Sequence, residues 1–258
     1  MEFLKKLFIG ILILGALGFL WFSIFVKDKY SVPILMYHHV SSANNANMNN
    51  VTPGAFLQQM KYLQSHGFKV ISLDALVTAL TEHQTLDRNS VVLTFDDGYI
   101  NNYTEAYPIL KELGYPATIF MVSDLVGTPG YMKWDHLKEM MRHGITIGSH
   151  TRHHAYLPEV YANDIVEEIG GSKKILEEGL GQRVDYFSYP TGGFTQEIKE
   201  KVKQAGYKGA CTTNRGDDAD EDVFELRRIR INTDESNFSL WAKLSGYYNA
   251  FRKPKKSH

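Results

Sequence analysis

The stretch SVVLTFDDG at residues 90–98 is an apolar run of strand length that ends on two adjacent carboxylates and a glycine. Val91 to Phe95 is apolar on both faces apart from Thr94, the pattern of a strand buried inside a parallel sheet. Asp96 and Asp97 then stand side by side at its C-terminal end. Neighbouring carboxylates repel unless something neutralises them, and a cation held by one while the other serves as base satisfies both. A solvated Asp-Asp-Gly turn is the reading of the tripeptide alone; its position after VVLTF favours the cation.

On either side of this stretch, β-like runs alternate with helical ones from Ser31 onward. Strands are expected at Val32–Tyr37, Val70–Leu73, Ala117–Val122, Thr146–Ser149, Tyr186–Tyr189, Lys208–Thr213 and Arg228–Ile231. Helices are expected at Pro53–His66, from an Asp74 cap to Glu82, after the Val91–Phe95 strand to Leu113 with Gly114 ending it, and at Trp134–His143, Asn163–Glu178, Gln196–Ala205 and Asn237–Phe251. Such alternation predicts an α/β fold with a parallel sheet under helices. The number of units predicts an irregular (β/α) barrel of about seven parallel strands, with an open doubly wound sheet as the alternative. No glycine-rich phosphate-binding loop follows an early strand.

The rest of the composition narrows the function classes. Among 258 residues the formal net charge is -1, which gives no basic face for nucleic acid. The single Cys211 excludes an internal disulfide framework and a cysteine-based zinc site. Leu7 to Val26 is apolar or small apart from Ser23, long enough to cross a bilayer as a helix. Its length and the lack of an A-x-A-like site favour an uncleaved anchor over a cleaved signal peptide. The expected organisation is an N-terminal transmembrane helix within residues 1–30 and a catalytic domain over 31–258, facing outward from the cell membrane. The acidic run Gly216–Glu225 lacks EF-hand spacing and reads as a solvated loop rather than a calcium site.

In a barrel, catalytic groups collect at the C-terminal ends of the strands. Those positions carry Tyr37-His38-His39, Asp96-Asp97, His150 with His153 and His154, and Tyr189-Pro190-Thr191. Imidazoles four apart, as in His150 and His154, can share a metal; His150 with His153 is also geometrically feasible. One carboxylate and two imidazoles leave open positions for water and substrate, the arrangement of a catalytic metal.

With these residues in place, the chain resembles the polysaccharide deacetylase family of carbohydrate esterases, the NodB-homology domain. TFDDG at 94–98 resembles that family's first motif, and SHTRHH at 149–154 its second. The resemblance implies His150, His154 and Asp97 as ligands of a divalent metal, Zn²⁺ by its nitrogen-rich donors, and Asp96 as general base. FSYPTG at 187–192 resembles the third motif, implying the Thr191 backbone N–H as oxyanion donor. Tyr99, Tyr189 and Pro190 are implied as substrate contacts. Many relatives carry an arginine where this chain has Ser188 and an aromatic residue where it has Thr191. The usual C-terminal Leu-x-His is absent. Instead ILMYHHV at 34–40 resembles the branch that acts on poly-β-1,6-N-acetylglucosamine, implying His38 as general acid and His39 as structural. Arg228, in LRRI at 226–229, is implied as the residue that orients Asp96. The expected activity is N-deacetylation of an acetylated cell-surface glycan. An O-acetyl esterase on the same site and a non-catalytic glycan-binding relative are the alternatives.

Overall fold

The computed structural model describes residues 30–42, 49–214 and 222–248, with residues 2, 5–10, 13–15, 17 and 18 near the N-terminus. The apolar runs form β1 (Ile34–Tyr37), β2 (His39–Val40), β3 (Asn50–Val51), β4 (Lys69–Ile71), β5 (Ser90–Phe95) and β6 (Ala117–Met121). They continue as β7 (Ile145–Ser149), β8 (Tyr186–Ser188), β9 (Gly209–Thr212), β10 (Leu226–Arg227) and β11 (Ile229–Arg230). The main sheet is parallel throughout and runs β10-β9-β8-β7-β6-β5-β1-β11. β10 and β11 are halves of one segment, separated by Arg228. The first half pairs with β9 and the second with β1, so residues 226–230 close the ring. β4 lies against the first half of β5, where Lys69 pairs with Ser90, and β6 against the second half, where Phe95 pairs with Ile119. Counting 226–230 once, the described residues give a nearly closed barrel of eight parallel strands, seven in the ring and β4 beside it.

The barrel has two apolar layers, and strand periodicity sorts residues between them. Ile34, Val92, Phe120, Tyr186, Cys211 and Leu226 cluster inside the ring. Their neighbours Leu35, Tyr37, Leu93, Phe95, Ile147, Phe187, Tyr189 and Ile229 pack outward beneath the helices. The same two-residue period carries the inner face on to His38, Asp96, His150, Ser188 and Arg228. Fold and site are therefore one pattern: the polar residues at the strand tops continue the inward-facing rows.

The helices are α1 (Pro53–Ser65), α2 (Leu73–Thr81), α3 (Tyr107–Leu113), α4 (Trp134–Met141), α5 (Ala162–Val166), α6 (Ser172–Leu180), α7 (Gln196–Gln204) and α8 (Asn237–Leu244). α1 starts where Thr52 Oγ1 accepts the Ala55 N–H, with proline just inside. The cap of α2 is Ser72 rather than Asp74. Asp74 instead sits in the first turn and accepts the Tyr186 hydroxyl at 2.6 Å. Two expected helices are interrupted by π-helical turns, Asn102–Ala106 ahead of α3 and Glu167–Gly171 between α5 and α6. Both hold polar side chains that reach the strand tops.

Most of the apolar run at 7–26 lies outside the described residues, and among those described no helix is long and apolar enough to cross a membrane. The final helix ends at Leu244, and residues past 248 lie outside the described set. So do residues 216–221 of the acidic run; Asp222 and Glu225 both pair with Lys199, at 2.9 and 2.6 Å.

Candidate active site

The Asp-Asp-Gly turn after β5 sends its two carboxylates different ways. Asp96 continues the inward row. Asp97 has φ +73 and Gly98 φ +82, so the chain reverses there and turns the second carboxylate toward β7. A φ of +82 is a conformation that residues with a Cβ rarely adopt, which is why this turn takes glycine at 98. Positive φ also occurs at Thr151, His154 and Thr191, so four of the five described non-glycine residues with this strain lie in loops at the strand tops. Strain of this kind costs about 1–3 kcal/mol per residue and persists where the surroundings over-determine it.

Asp97, His150 and His154 offer ligand atoms that all lie within 4.8 Å of one another. His150 Nε2 is 3.5 Å from Asp97 Oδ1, and His154 Nε2 is 3.3 Å from the same oxygen. The tautomer of His150 follows from its other nitrogen. Nδ1 faces the Ser188 carbonyl at 2.7 Å, and a carbonyl only accepts, so Nδ1 carries the proton and Nε2 presents a lone pair. Burial pushes the His150 pKa down, against the pull of the nearby Asp96 and Asp97. Asp97 Oδ1 is itself buried with no hydrogen-bond partner. A lone pair and an unpartnered carboxylate oxygen converging in a buried site fit a cation between them. His153, by contrast, turns away to Glu168 Oε1 at 2.6 Å and Asp124 at 3.2 Å, which closes the alternative ligand pair. Glu168 sits in the second π-helical turn and also accepts the backbone N–H groups of Arg152 and His153, fixing the loop that carries both ligands.

Asp96 is almost fully buried and clasped by Arg228. The guanidinium donates to both carboxylate oxygens, Nη1 to Oδ1 at 2.6 Å and Nη2 to Oδ2 at 2.7 Å. It also donates to Thr94 Oγ1 at 3.3 Å and Ser188 Oγ at 2.8 Å, and lies 5.4 Å over the Phe120 ring. Burial pushes the Asp96 pKa up, but Arg228, His150 and His38 outweigh it and hold the carboxyl well below the usual carboxylate range. Arg228 reaches this place because the closing strand changes partner at 228, and the residue at that break points into the barrel. The small Ser188 leaves room for its head group. His38 Nε2 stands 4.0 Å from Asp96 Oδ2, and burial pushes its pKa down against the pull of both aspartates.

The remaining expected residues divide. Tyr99 is half-buried, stacks on His39 at 3.5 Å and on Tyr131 at 5.2 Å, and borders Asp97, so an aromatic wall flanks the metal ligands. Thr191 is exposed with φ +55, and its carbonyl accepts the Thr213 hydroxyl at 2.8 Å. Tyr189 is not available to a sugar. It is fully buried, stacked on Phe194 at 4.5 Å, and its hydroxyl donates to the Phe224 carbonyl at 3.1 Å. Its odd position puts it on the outer face with Phe187. Pro190 is buried as well, so neither side chain is exposed where a sugar would meet it. Sequence reading noted Ser188 only as standing where relatives carry an arginine, not that its carbonyl and hydroxyl tie His150 to Arg228; it missed Asn101, Asn102 and Glu168, which no spacing signal marks.

Because φ +55 is unstrained only for glycine, Thr191→Gly is expected to keep turnover within a few-fold and to raise stability slightly. Steady-state kinetics and a thermal melt check this; a loss of activity would show that the threonine side chain itself takes part.

Comparison with known proteins places these features in context. Residues 83–210 match a family model described as Polysaccharide deacetylase. Putative polysaccharide deacetylase YxkH of Bacillus subtilis is 34% identical over 212 residues, covering 82% of this chain and 75% of that protein. Poly-beta-1,6-N-acetyl-D-glucosamine N-deacetylase of Staphylococcus aureus is 26% identical over 239 residues, covering 81% and 82%. Among solved structures, Streptococcus pyogenes deacetylase PplD in complex with acetate superposes with a TM-score of 0.78 at 30% identity, covering 83% of this chain and 97% of that one.

Proposed function

Because this chain belongs to the polysaccharide deacetylase family, whose members hydrolyse non-peptide carbon–nitrogen bonds, we propose that it removes acetyl groups from N-acetylglucosamine units of a cell-surface glycan. The glycan is an exopolysaccharide or peptidoglycan. The observation that carries this reading is the unpartnered Asp97 oxygen facing two imidazoles, a few ångströms from a clasped Asp96.

Asp97, His150 and His154 would hold a divalent cation, Zn²⁺ by the nitrogen-rich donor set. Such an ion would supply Lewis acidity toward the acetyl carbonyl and the attacking water. Asp96 is the base that takes a proton from that water. Arg228 keeps it ionised and fixes its orientation. The Thr191 N–H donates to the oxygen on which negative charge develops. His38 donates a proton to the departing amine. The C–N bond of the acetamide breaks, water oxygen bonds to the acetyl carbon, and acetate and a free amine leave. Tyr99 flanks the sugar from the aromatic wall.

Free-amine release from a panel of acetylated β-1,4 and β-1,6 glucosamine oligomers, beside acetate release from acetylated xylan, tests the substrate class. Amine release with little xylan hydrolysis supports the proposal; the reverse would make the chain an O-acetyl esterase.

The apolar run at 7–26 supports a single membrane-spanning anchor, with the 31–258 domain on the outer side. The full chain is expected to stay with membranes through alkaline carbonate washing and to be open to protease from outside. Release by the wash would remove the anchor from the account.

A further inference from the structure

The residues that set the orientation of His38 lie outside the three motifs. His38 occupies a hinge between β1 and β2, and among the described residues its own side chain makes no hydrogen bond that would fix it; Asp96 Oδ2 lies 4.0 Å from its Nε2. The hinge is held instead from the first π-helical turn. Asn102 is fully buried and its Nδ2–H donates to the His38 carbonyl at 2.7 Å. Next to it, Asn101 accepts the Val40 N–H on Oδ1 at 3.2 Å and donates from Nδ2 to His39 Nδ1 at 3.0 Å. Two consecutive amides thus grip residues 38, 39 and 40.

The local cost of this grip argues that geometry, not stability, keeps it. Asn102 Oδ1 is buried without a hydrogen-bond partner, and such an acceptor typically costs about 1–3 kcal/mol. The π-helical turn that aims both amides at the hinge is itself an uncommon departure from the α-helix, found often at functional sites. A leucine at 102 would remove the orphaned acceptor together with the donor that holds the His38 carbonyl. Departures from local rules that bring no gain in stability concentrate where function needs a fixed geometry.

We propose that Asn102 is a positioning residue for His38: by holding the His38 carbonyl it sets the reach of the imidazole toward the scissile nitrogen. This rests on the reading of His38 as the proton donor. Asn102 touches no reacting atom, so its removal should impair only the step in which His38 acts.

The test is a double-mutant cycle on the full-length, metal-loaded protein, with an acetylated glucosamine oligomer as amide substrate and an aryl acetate as ester. Asn102→Leu is expected to lower kcat on the amide by about tenfold, misplacement by an ångström being able to cost up to 100-fold, with KM little changed. On the ester, whose leaving group needs less protonation, the loss should be under about twofold. In the His38→Ala background, Asn102→Leu should add nothing further on the amide. An equal loss on both substrates, or the same loss in both backgrounds, would make Asn102 a structural residue and overturn the proposal. If His38→Ala alone leaves amide hydrolysis intact, the proton-donor reading fails and takes this proposal with it. Asn102→Ala, which removes the donor with less added bulk, repeats the cycle if Asn102→Leu melts below the assay temperature.

Discussion

Asp96→Asn is expected to lower kcat on an acetylated glucosamine oligomer by roughly 10²–10⁴-fold, the usual contribution of a positioned general base. The amide has nearly the shape of the carboxylate but cannot take up the proton that the attacking water must lose. Asp96 is also not among the three groups whose ligand atoms converge. Metal binding should therefore survive, which separates this variant from changes at Asp97, His150 or His154. Part of the effect will appear in stability, because Arg228 would then face a neutral amide inside the barrel. Turnover within a factor of ten of the starting protein would remove Asp96 as the base.

Arg228→Met should have the largest effect on stability. It leaves the nearly fully buried Asp96 with neither of its two guanidinium contacts, and breaking a buried ion pair from one side costs about 3–5 kcal/mol. For a domain of this size that corresponds to a fall in Tm on the order of 10 °C. The pH dependence gives the sign. In the unaltered protein Asp96 lies below its unfolded value, so the pair contributes fully above about pH 4 and is lost as pH falls through the folded value. In the variant, burial loses its strongest opponent and the carboxyl rises toward and above its unfolded value, so the penalty grows as pH rises from about 4 toward 7. The difference in Tm between the two proteins should thus widen from acid to neutral pH. A difference that does not change with pH would mean that Arg228 acts through packing on Phe120 and Ser188, not through the charge on Asp96.

Much of the barrel was legible because strand periodicity and helix alternation repeat along the whole chain. Val91–Phe95 and Ala117–Val122 became strands within a residue or two of expectation. The spacing of His150 and His154 was legible as a local pattern, although the pair sits in an irregular loop with positive φ at Thr151 and His154 and not on the helical turn such spacing suggests. Residues that act through tertiary contacts were legible only by resemblance or not at all. The likeness of LRRI to the branch's last strand did imply that Arg228 orients Asp96, and its guanidinium clasps that carboxylate, but nothing in the residues themselves announces the change of partner that turns it inward. Asn102 and Glu168 depend on π-helical turns that shift the register of side chains by one position. The error at Tyr189 was avoidable. Tyr186 and Ser188 lie on the inner row of β8, so period two already puts Phe187 and Tyr189 under the helices. Strand-end position alone was too coarse a criterion, and parity supplies the missing half.

The central claim is that Asp97, His150 and His154 share one divalent ion. Equilibrium dialysis of the full chain against Zn²⁺, beside Asp97→Ala, His150→Ala and His154→Ala, measures it directly. The account predicts one tightly held ion per chain and a weakening of more than about 100-fold in each variant, since outer partners of such ligands alone account for 10–100-fold. Unchanged Zn²⁺ affinity in any of the three variants would contradict it.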